Sequence, residues 1–404
     1  MFKKFPYLSS YTWVCLLYAL VSVYCWQFKY FGNRYNNYSI FEQVYHHTRI
    51  QTNLYASYPS QYFDTNHYGP AFSVVVAPFA VLPVAWGFLL WNVANALVFI
   101  WAINLLPVNN KSKVLLLLCC SIEFANAQHA IQFNPIIAAF LIFSFVLVEK
   151  KREEWATLFI VLGTLIKLYP VAGLMFFVFS KRKKTFITWC VIWSGVWFVL
   201  PMLLSSPHFI VQSYADWWEA LHTKNLQNMT LFSAQDLSVM GVLRRVTDSL
   251  NVPNLPFLIG AALCLGLSLL RFKQYQYLKF RLYALAAALI TVVIFSTGSE
   301  PPTYIIATAG AILYLVLQPQ PFSKNTVTFF ILIAVVAALI STDAVPSSIR
   351  KPYFSRYAVK VWPYIIVWGM LVYEMLFKSF ADKSERKSDD GKVSEPEEHI
   401  LLPA

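Results

Sequence analysis

Apolar runs recur along nearly the whole chain and limit what it can fold into. Of the 404 residues, 58% are hydrophobic and only 13% are charged, and the mean hydropathy is +0.53. This composition excludes an ordinary soluble core and is typical of an integral membrane protein. We therefore expect one membrane domain over residues 11–378, without a large soluble module.

The charged residues fit a membrane domain. A net charge of +12 would indicate nucleic-acid binding in a soluble protein, but here Lys and Arg cluster in short loops between apolar runs. Such clusters are typical of cytoplasmic loops that face anionic lipid, so we expect membrane lipids as partners and no nucleic acid. The six cysteines lie in or beside apolar segments without metal-ligand spacing, and they predict neither a metal site nor a disulfide framework.

The first apolar run and the loop after it set the topology. Residues 1–10 carry Lys3 and Lys4 and form a basic leader, which the positive-inside rule assigns to the cytoplasm. Residues 11–31 have no small-residue cleavage site after them, so they predict a retained first helix. The long loop 32–69 is then outside. Within it, the apolar side chains of residues 36–53 recur with roughly helical spacing, which predicts a helix lying in the membrane interface.

Several later apolar runs are short or interrupted. Three prolines interrupt residues 70–83, and the runs 114–126 and 135–148 are separated by the polar stretch NAQHAIQFNP. Helices this short need not cross about 30 Å of hydrocarbon. Broken helices are tolerated at membrane depth only where they line a protein cavity or water, so we expect the polar stretch to line a cavity.

The apolar run at residues 155–180 has an unusual length for its surroundings. Basic loops flank this run on both sides, yet 26 residues are too few for two spans of about 20 residues each. The run predicts a shortened or re-entrant hairpin whose tip is the sequence KLYP at 167–170. Lys167 would then lie in the membrane interior or at its outer face; a lysine that snorkels from a helix end is the alternative.

The other apolar runs complete an all-α, polytopic fold of about ten to thirteen membrane helices, several of them short or broken. These runs cover residues 85–106, 185–204, 255–270, 282–295, 305–317, 326–340 and 357–377. Residues 205–254 form a second polar outer segment. Residues 379–404 are charged and lack periodicity, which predicts a disordered cytoplasmic tail.

Outside the tail, most acidic residues fall in the predicted outer segments. Asp64 stands directly before an apolar helix, where water meets membrane, and is either a functional group or a solvated loop charge. The outer segments also carry cations, Arg244 and Arg245 among them. A carboxylate can take a proton from an acceptor hydroxyl while cations hold a leaving phosphate. Solvated loops would be charged as well, so this pattern by itself leaves both interpretations open.

Several motifs, in a fixed order, resemble glycosyltransferase family 87 of the GT-C class. They are HYGPAFSVVVAPFAVLP followed by LLWNVAN, then QHAIQFNPIIAAFLI, then GTLIKLYP before a basic loop. The downstream pieces AQDLSVMGVLRR, SEPPTYIIATAG and STDAVPSSIRKPY are similar to the version of the family common in Bacteroidetes. The resemblance extends over roughly residues 33–375, nearly the whole membrane domain.

The resemblance implies a GT-C fold and a transferase that uses a polyprenyl-phosphate-linked sugar, typically mannose, at the outer face of the bacterial cytoplasmic membrane. It implies inversion at the anomeric carbon, an acid of the first outer loop as the base, and no metal or other cofactor. Many family members have an Asp early in that loop, whereas this chain has Asn36 and Asn37, and an amide cannot act as a base. The role would pass to Asp64, which adjoins the matching motif, or to Glu42.

The resemblance also implies a set of residues that bind the donor phosphate or sugar: Lys167, His129, Gln132, Asn134, Arg244, Arg245, Glu300 and Tyr304. Lys167 precedes Tyr-Pro as in the family and is the strongest phosphate ligand among them, because lysine is a compact point charge. Asn36, Asn37 and Tyr68 would form the acceptor side of the loop. The alternatives are hydrogen bonding at the helix break for the polar stretch, a buried structural carboxylate for Glu300, and loop anchoring for the arginines.

Two other functions remain open at this point. A lipid-linked glycan transporter or flippase would explain broken helices and interior polar residues, although the chain shows no convincing repeated half. An O-antigen ligase or polymerase-like enzyme would also use a lipid-linked sugar but would transfer a whole glycan. In each case the expected partners are a polyprenyl-phosphate-linked donor and a glycolipid or glycan acceptor.

Overall fold

A computed structural model describes residues 10–229, 231 and 235–381, and these residues form helices without any strand. The basic leader and nearly all of the predicted disordered tail lie outside the described residues. Helices of the first half are α1 (Ser10–Phe31), α2 (Asn36–Ile50), α3 (Phe72–Ala80), α4 (Val84–Leu105), α5 (Asn110–His129), α6 (Asn134–Glu149) and α7 (Glu153–Ile166).

The second half continues in the same way. Its α-helices are α8 (Lys183–Val199), α9 (Pro207–Asn228), α10 (Val239–Val246), α11 (Leu255–Leu269), α12 (Leu278–Ile294), α13 (Tyr304–Val316), α14 (Lys324–Ile331), α15 (Ser347–Ile349) and α16 (Trp362–Phe377). Tighter 3-10 helices occupy Tyr169–Phe179, Leu200–Leu203, Phe272–Gln274, Pro301–Thr303 and Val359–Val361, and wider π-helices occupy Leu332–Ala337 and Arg350–Ser355.

Helix length and composition confirm the prediction of an all-α, polytopic membrane protein with several short or broken helices. Among the described residues, four helical stretches are long and apolar enough to cross a membrane: Ser10–Phe31, Val84–Leu105, Lys183–Leu203 and Val359–Phe377. Shorter apolar helices include α6, α11 and the 3-10 helix Tyr169–Phe179. Apolar side chains on α8 and α11, such as Val191 and Leu263, are more than half exposed, as expected for helices that face lipid.

The core of the fold lies where α6, α12 and α13 pack together. All thirteen residues of α13 are buried, and α6 and α12 are buried on nearly every side. A helix that is apolar all round is stable only when other helices cover it, so these three form the centre of the bundle. Gly310 allows the close approach, because a Cβ there would lie 2.7 Å from the carbonyl oxygen of Ala286.

The predicted hairpin at residues 155–180 consists of α7 and the 3-10 helix Tyr169–Phe179, with Lys167 in the turn between them. Two glycines let the arms touch. A Cβ on Gly163 would lie 2.5 Å from Pro170, and a Cβ on Gly173 would lie 2.8 Å from Ile160. Neither arm is long enough for a full span of about 20 residues, as the sequence predicted.

One expectation about the helices was wrong. The polar stretch does not end α5 near residue 126; the helix continues to His129, and only residues 130–133 form the break. The polar side chains bond to neighbouring helices instead: Asn126 donates to the carbonyl oxygen of Ala338 at 3.0 Å, and Gln128 to that of Asn92 at 2.9 Å. Residues 205–254, the predicted second polar outer segment, contain the long helix α9 and the short helix α10.

One ion pair crosses the buried interior. Glu123 of α5 and Lys360, just before α16, are both at most 2% exposed, and the Lys360 ammonium donates to the Glu123 carboxylate. Asn126 Nδ2 donates to the second carboxylate oxygen at 3.3 Å, and Lys360 Nζ donates to the carbonyl oxygen of Ala337 at 3.2 Å. The pair therefore links α5, the π-helix Leu332–Ala337 and the start of α16.

We predict that Lys360→Met strongly destabilises the protein, because it leaves the Glu123 carboxylate buried and unpaired at a cost of about 3–5 kcal/mol. The loss is measured as the fraction of detergent-purified protein that stays monodisperse after heating. The double variant Glu123→Gln, Lys360→Met leaves no unpaired charge and is expected to recover most of the loss. Equal losses in the single and double variants would contradict the prediction.

Candidate active site

A cavity of about 410 Å³ opens where the first outer loop meets the tip of the hairpin. We call it the central cavity. Its walls come from α2, residues 64–68, the hairpin tip, α9 and the loop that follows α12. Of the candidate residues predicted from the sequence, it brings together Asn37, Asp64, Tyr68, Gln132, Lys167 and Glu300.

Gly69 docks the first outer loop onto the hairpin. Its backbone N–H donates to the carbonyl oxygen of Ile166, the last residue of α7, at 3.0 Å. A Cβ at this position would lie 2.0 Å from the carbonyl oxygen of Leu165 and 3.0 Å from the Trp217 ring, so only glycine allows the contact. The indole N–H of Trp217 donates to the carbonyl oxygen of His67 at 3.0 Å and holds the same loop from the α9 side.

Asn36 fixes the segment just before Asp64. Its side-chain Nδ2 donates to the carbonyl oxygen of Phe63 at 2.7 Å, and the Phe63 N–H donates back to Asn36 Oδ1 at 2.6 Å. The Asn36 amide thus bonds to both the N–H and the carbonyl oxygen of Phe63. This pairing requires a side chain that carries both a donor and an acceptor. A carboxylate at position 36 would lack the donor.

Asp64 projects from this fixed loop between two basic side chains. Its backbone has a positive φ of 70°, which an aspartate tolerates when its side chain bonds locally, and here the Thr65 N–H donates to Asp64 Oδ1 at 2.9 Å. The same oxygen lies 3.8 Å from Lys224 Nζ and 3.9 Å from His67 Nε2. The Asp64 side chain is 56% exposed, so one face of the carboxylate is open to a ligand.

Lys167 reaches into the central cavity through neutral partners. Its ammonium donates to Asn134 Oδ1 at 2.8 Å and lies 5.6 Å and 5.3 Å above the rings of Tyr68 and Tyr169. The Asn134 Nδ2 donates in turn to the carbonyl oxygen of Pro302 at 3.0 Å. An amide and two aromatic faces orient the charge without neutralising it, so the ammonium can still bind an anion.

Glu300 is oriented in the same indirect way. Gln132 Nε2 donates to Glu300 Oε1 at 3.0 Å, and Gln132 Oε1 accepts from the Tyr68 hydroxyl at 3.1 Å. Gln132 lies in the short break between α5 and α6, Asn134 is the first residue of α6, and each bonds to one charged group of the cavity. Gln132 lines the cavity, whereas Asn134 is buried behind it.

Burial shifts the proton affinities of these loop residues. Burial lowers the pKa of Lys167 to about 8, and the nearby Glu300 carboxylate partly opposes the shift. Burial also raises the pKa of Glu300, against the opposing effect of Lys167 and Lys224. His67 has a pKa lowered to about 4 by burial and then by Lys224, so its imidazole is neutral at pH 7.

Two residues of the cavity wall carry buried polar atoms that have no hydrogen-bond partner among the described residues. They are Asn228 Oδ1, on a side chain that is 3% exposed, and both ring nitrogens of His67. Buried polar groups are normally hydrogen-bonded, so this part of the wall contains polar groups that are still unpaired.

Seven candidate residues do not line the central cavity: Asn36 and Asn134 bond to residues of its wall, as described above, and five others lie elsewhere. Glu42 is half-buried on the side of α2 that carries Tyr38, away from Asn37 and Phe41 at the cavity. His129 is exposed, and its ring centroid lies 5.7 Å from that of Phe28. Tyr304 is fully buried, and its hydroxyl donates to the carbonyl oxygen of Leu237 at 2.7 Å. The other two residues, Arg244 and Arg245, lie behind the cavity wall.

Arg244 and Arg245 hold the wall of the central cavity together from behind. Arg244 Nη1 donates to Asp236 Oδ2 at 2.6 Å, both side chains are 0% exposed, and Arg245 Nη1 donates to the carbonyl oxygen of Asp236 at 3.1 Å. The Asp236 N–H donates to the carbonyl oxygen of Thr297 at 3.1 Å. The geometry thus corresponds to the alternative of loop anchoring and not to a phosphate clamp.

Sequence reasoning missed the contribution of α9. Trp217, Leu221, Lys224, Asn225 and Asn228 all line the central cavity, and their spacing puts them on one side of that helix. The alternation of aromatic, apolar and amide residues along this side is a detectable signal, but only once residues 207–228 are recognised as a helix. No group of three or more His, Cys, Asp or Glu residues that could hold a metal ion occurs within the described ranges.

Comparison with a protein-family model identifies the family of the chain. The model of glycosyltransferase family 87 matches residues 66–297, more than half of the chain. Tyr68, Gln132, Asn134 and Lys167 fall within the match, and Asp64 lies just before it. A search among curated proteins found no match. The extent of the family match shows that the chain belongs to glycosyltransferase family 87 and is a membrane glycosyltransferase.

Proposed function

We propose that the protein transfers a hexose, with mannose as the first candidate, from a polyprenyl-phosphate-linked donor to a glycolipid or glycan acceptor. The observation that carries this proposal is one cavity with the Asp64 carboxylate at its edge and the ammonium groups of Lys167 and Lys224 beside it. We further propose that the cavity faces the periplasm at the inner membrane, because the hairpin arms end in basic loops on the opposite side.

The proposed reaction is a single displacement with inversion. The acceptor hydroxyl loses its proton to Asp64 as its oxygen forms a bond to the anomeric carbon, and the bond from that carbon to the phosphate oxygen breaks. Polyprenyl phosphate leaves with one more negative charge than it had as a diester. Lys167 and Lys224 stabilise this developing charge, and the partly dehydrated setting of Lys167 strengthens the interaction.

The remaining polar groups bind the sugar. Glu300 is held by Gln132 and can accept hydrogen bonds from sugar hydroxyls, and Asn228 Oδ1 offers another acceptor. The apolar side chains of Ile40, Leu168 and Leu221 line the same cavity and suit the first isoprene units of the donor. No cofactor takes part in this proposal.

We predict that Asp64→Asn lowers sugar transfer about 10²–10⁴-fold, because the amide cannot accept the acceptor proton. Transfer is measured from synthetic polyprenyl-phosphate-[¹⁴C]mannose into extracted glycolipid by membranes that carry equal amounts of folded protein. Glu42→Gln is the matched control on α2 and should transfer at nearly the wild-type rate. Loss of sugar transfer in Glu42→Gln together with normal transfer by Asp64→Asn would assign the base to Glu42 instead of Asp64. If the wild type moved the lipid across the membrane without transferring sugar, the result would favour a flippase.

We predict that kcat/KM for the donor falls above about pH 8, where Lys167 loses its proton. A group with a lowered pKa is charged below that value and neutral above it, and kcat/KM reports the ionisation of the free enzyme. In Lys167→Arg the guanidinium stays charged, so the alkaline decrease should disappear even if the overall rate is lower. An alkaline decrease that persists unchanged in Lys167→Arg would exclude Lys167 as its cause.

We predict that Asn36→Asp slows transfer several-fold, because the loss of the hydrogen bond to the Phe63 carbonyl costs about 1 kcal/mol and loosens the loop that carries Asp64. The double variant Asn36→Asp, Asp64→Asn tests whether position 36 can supply the base. It should be as inactive as Asp64→Asn alone. Recovery of transfer in the double variant would show that a carboxylate at position 36 reaches the acceptor.

A further inference from the structure

A second pocket, about 350 Å³ in volume, lies between the first outer loop and α9 on the other side of residues 65–67. We call it the outer groove. It is lined by Asn53, Tyr55, Asp216, Glu219, Thr223 and Gln227. None of these residues belongs to the site described above.

The outer groove and the central cavity share a wall. Thr65, His67 and Lys224 line both spaces, and Lys224 Nζ is 3.8 Å from Asp64 Oδ1. A chain molecule that lies in the outer groove can therefore extend past this wall to Asp64. The two unpartnered ring nitrogens of His67 lie in that wall.

The two spaces differ in charge. Asp64, Glu300, Lys167 and Lys224 line the central cavity, so its formal charges balance, whereas Asp216, Glu219 and Lys224 line the outer groove and leave it with one net negative charge. Lys167 lines the central cavity but not the outer groove, so a phosphate can contact two ammonium groups in the central cavity, whereas it meets two carboxylates and one ammonium in the outer groove. Carboxylates, amides and hydroxyls accept and donate hydrogen bonds to the hydroxyls of an uncharged sugar.

Part of the outer groove is rigid. Asp216 accepts from Asn53 Nδ2 at 3.1 Å and from Gln212 Nε2 at 2.8 Å, and Asn53 Oδ1 accepts from the backbone N–H of Tyr55 at 2.7 Å. The Tyr55 hydroxyl donates to the carbonyl oxygen of Tyr68 at 3.1 Å. These bonds fix one side of the groove before any ligand arrives, which lowers the entropy cost of binding.

The opposite side consists of free polar groups on one face of α9. Glu219, Thr223 and Gln227 are three or four residues apart and so lie above one another on the helix. Their side chains form no hydrogen bond within the part of the chain that the structure describes. They remain available for a ligand.

We propose that the outer groove binds the acceptor as an uncharged chain of sugars and presents one hydroxyl to Asp64. This assignment rests on the proposed transfer reaction, because it uses Asp64 as the base. It separates the two substrates by charge: the donor phosphate binds at the two lysines, and the neutral acceptor glycan binds against the two acids. The class of acceptor is thereby a glycan or the glycan part of a glycolipid, and not a second lipid phosphate.

The first test fills the outer groove. Thr223→Trp should raise KM for the extracted glycolipid acceptor at least tenfold and leave KM for polyprenyl-phosphate-mannose within twofold. His222→Trp, one residue earlier and exposed outside the groove, is the matched control and should behave like the wild type. An unchanged acceptor KM in Thr223→Trp, or a rise in the donor KM instead, would overturn the proposal.

The second test does not depend on transfer. In Thr223→Cys, a water-soluble maleimide labels the new thiol. Labelling of the wild-type protein measures the background from the six native cysteines and is subtracted. Mannotriose, maltotriose or chitotriose should slow the labelling, whereas farnesyl phosphate should not. Protection by farnesyl phosphate, or by none of the sugars, overturns the outer groove as a glycan site. Protection by a sugar together with no transfer by the wild type supports the groove and refutes the proposed reaction.

Discussion

The contact of Gly69 with the end of α7 is the constraint on which the site depends. The hydrogen bond from the Gly69 N–H to the Ile166 carbonyl joins the first outer loop to the turn that carries Lys167. Because no side chain fits between the two backbones, the loop approaches the hairpin closely enough for Tyr68 to lie under the Lys167 ammonium. Asp64 and Lys167, about a hundred residues apart in the chain, thereby share one cavity.

Two groups of charged side chains in this protein differ in their partners. Glu123 with Lys360, and Asp236 with Arg244, are ion pairs whose charges cancel inside the helical bundle. Lys167 and Glu300 bond instead to the neutral amides of Asn134 and Gln132. An amide fixes the direction of a charged group without cancelling its charge. The ion pairs stabilise the fold, whereas Lys167 and Glu300, which also attract each other, are only partly buried and line the central cavity.

The sequence predicted those features that depend on local pattern. Apolar runs and basic loops were enough to predict the helices and the hairpin with Lys167 at its tip. Asp64 was selected because it adjoins a motif, and it lines the central cavity. Features that depend on tertiary contacts were not predictable. The polar residues at the end of α5 looked like a helix break because their partners, Ala338 and Asn92, are distant in sequence. Lys224 was missed for the same reason, since nothing near it points to Asp64.

The pairing of residues 236–237 with the loop after α12 has a consequence for genetic studies. The N–H groups of Asp236 and Leu237 bond to the carbonyl oxygens of Thr297 and Ser299, so the arginine cluster behind Asp236 supports the strip of backbone that leads to Glu300. Loss of Arg244 would displace that strip and move Glu300 in the central cavity. A screen scored by activity alone would then assign Arg244 to the substrate site, although its guanidinium is sealed away from any substrate.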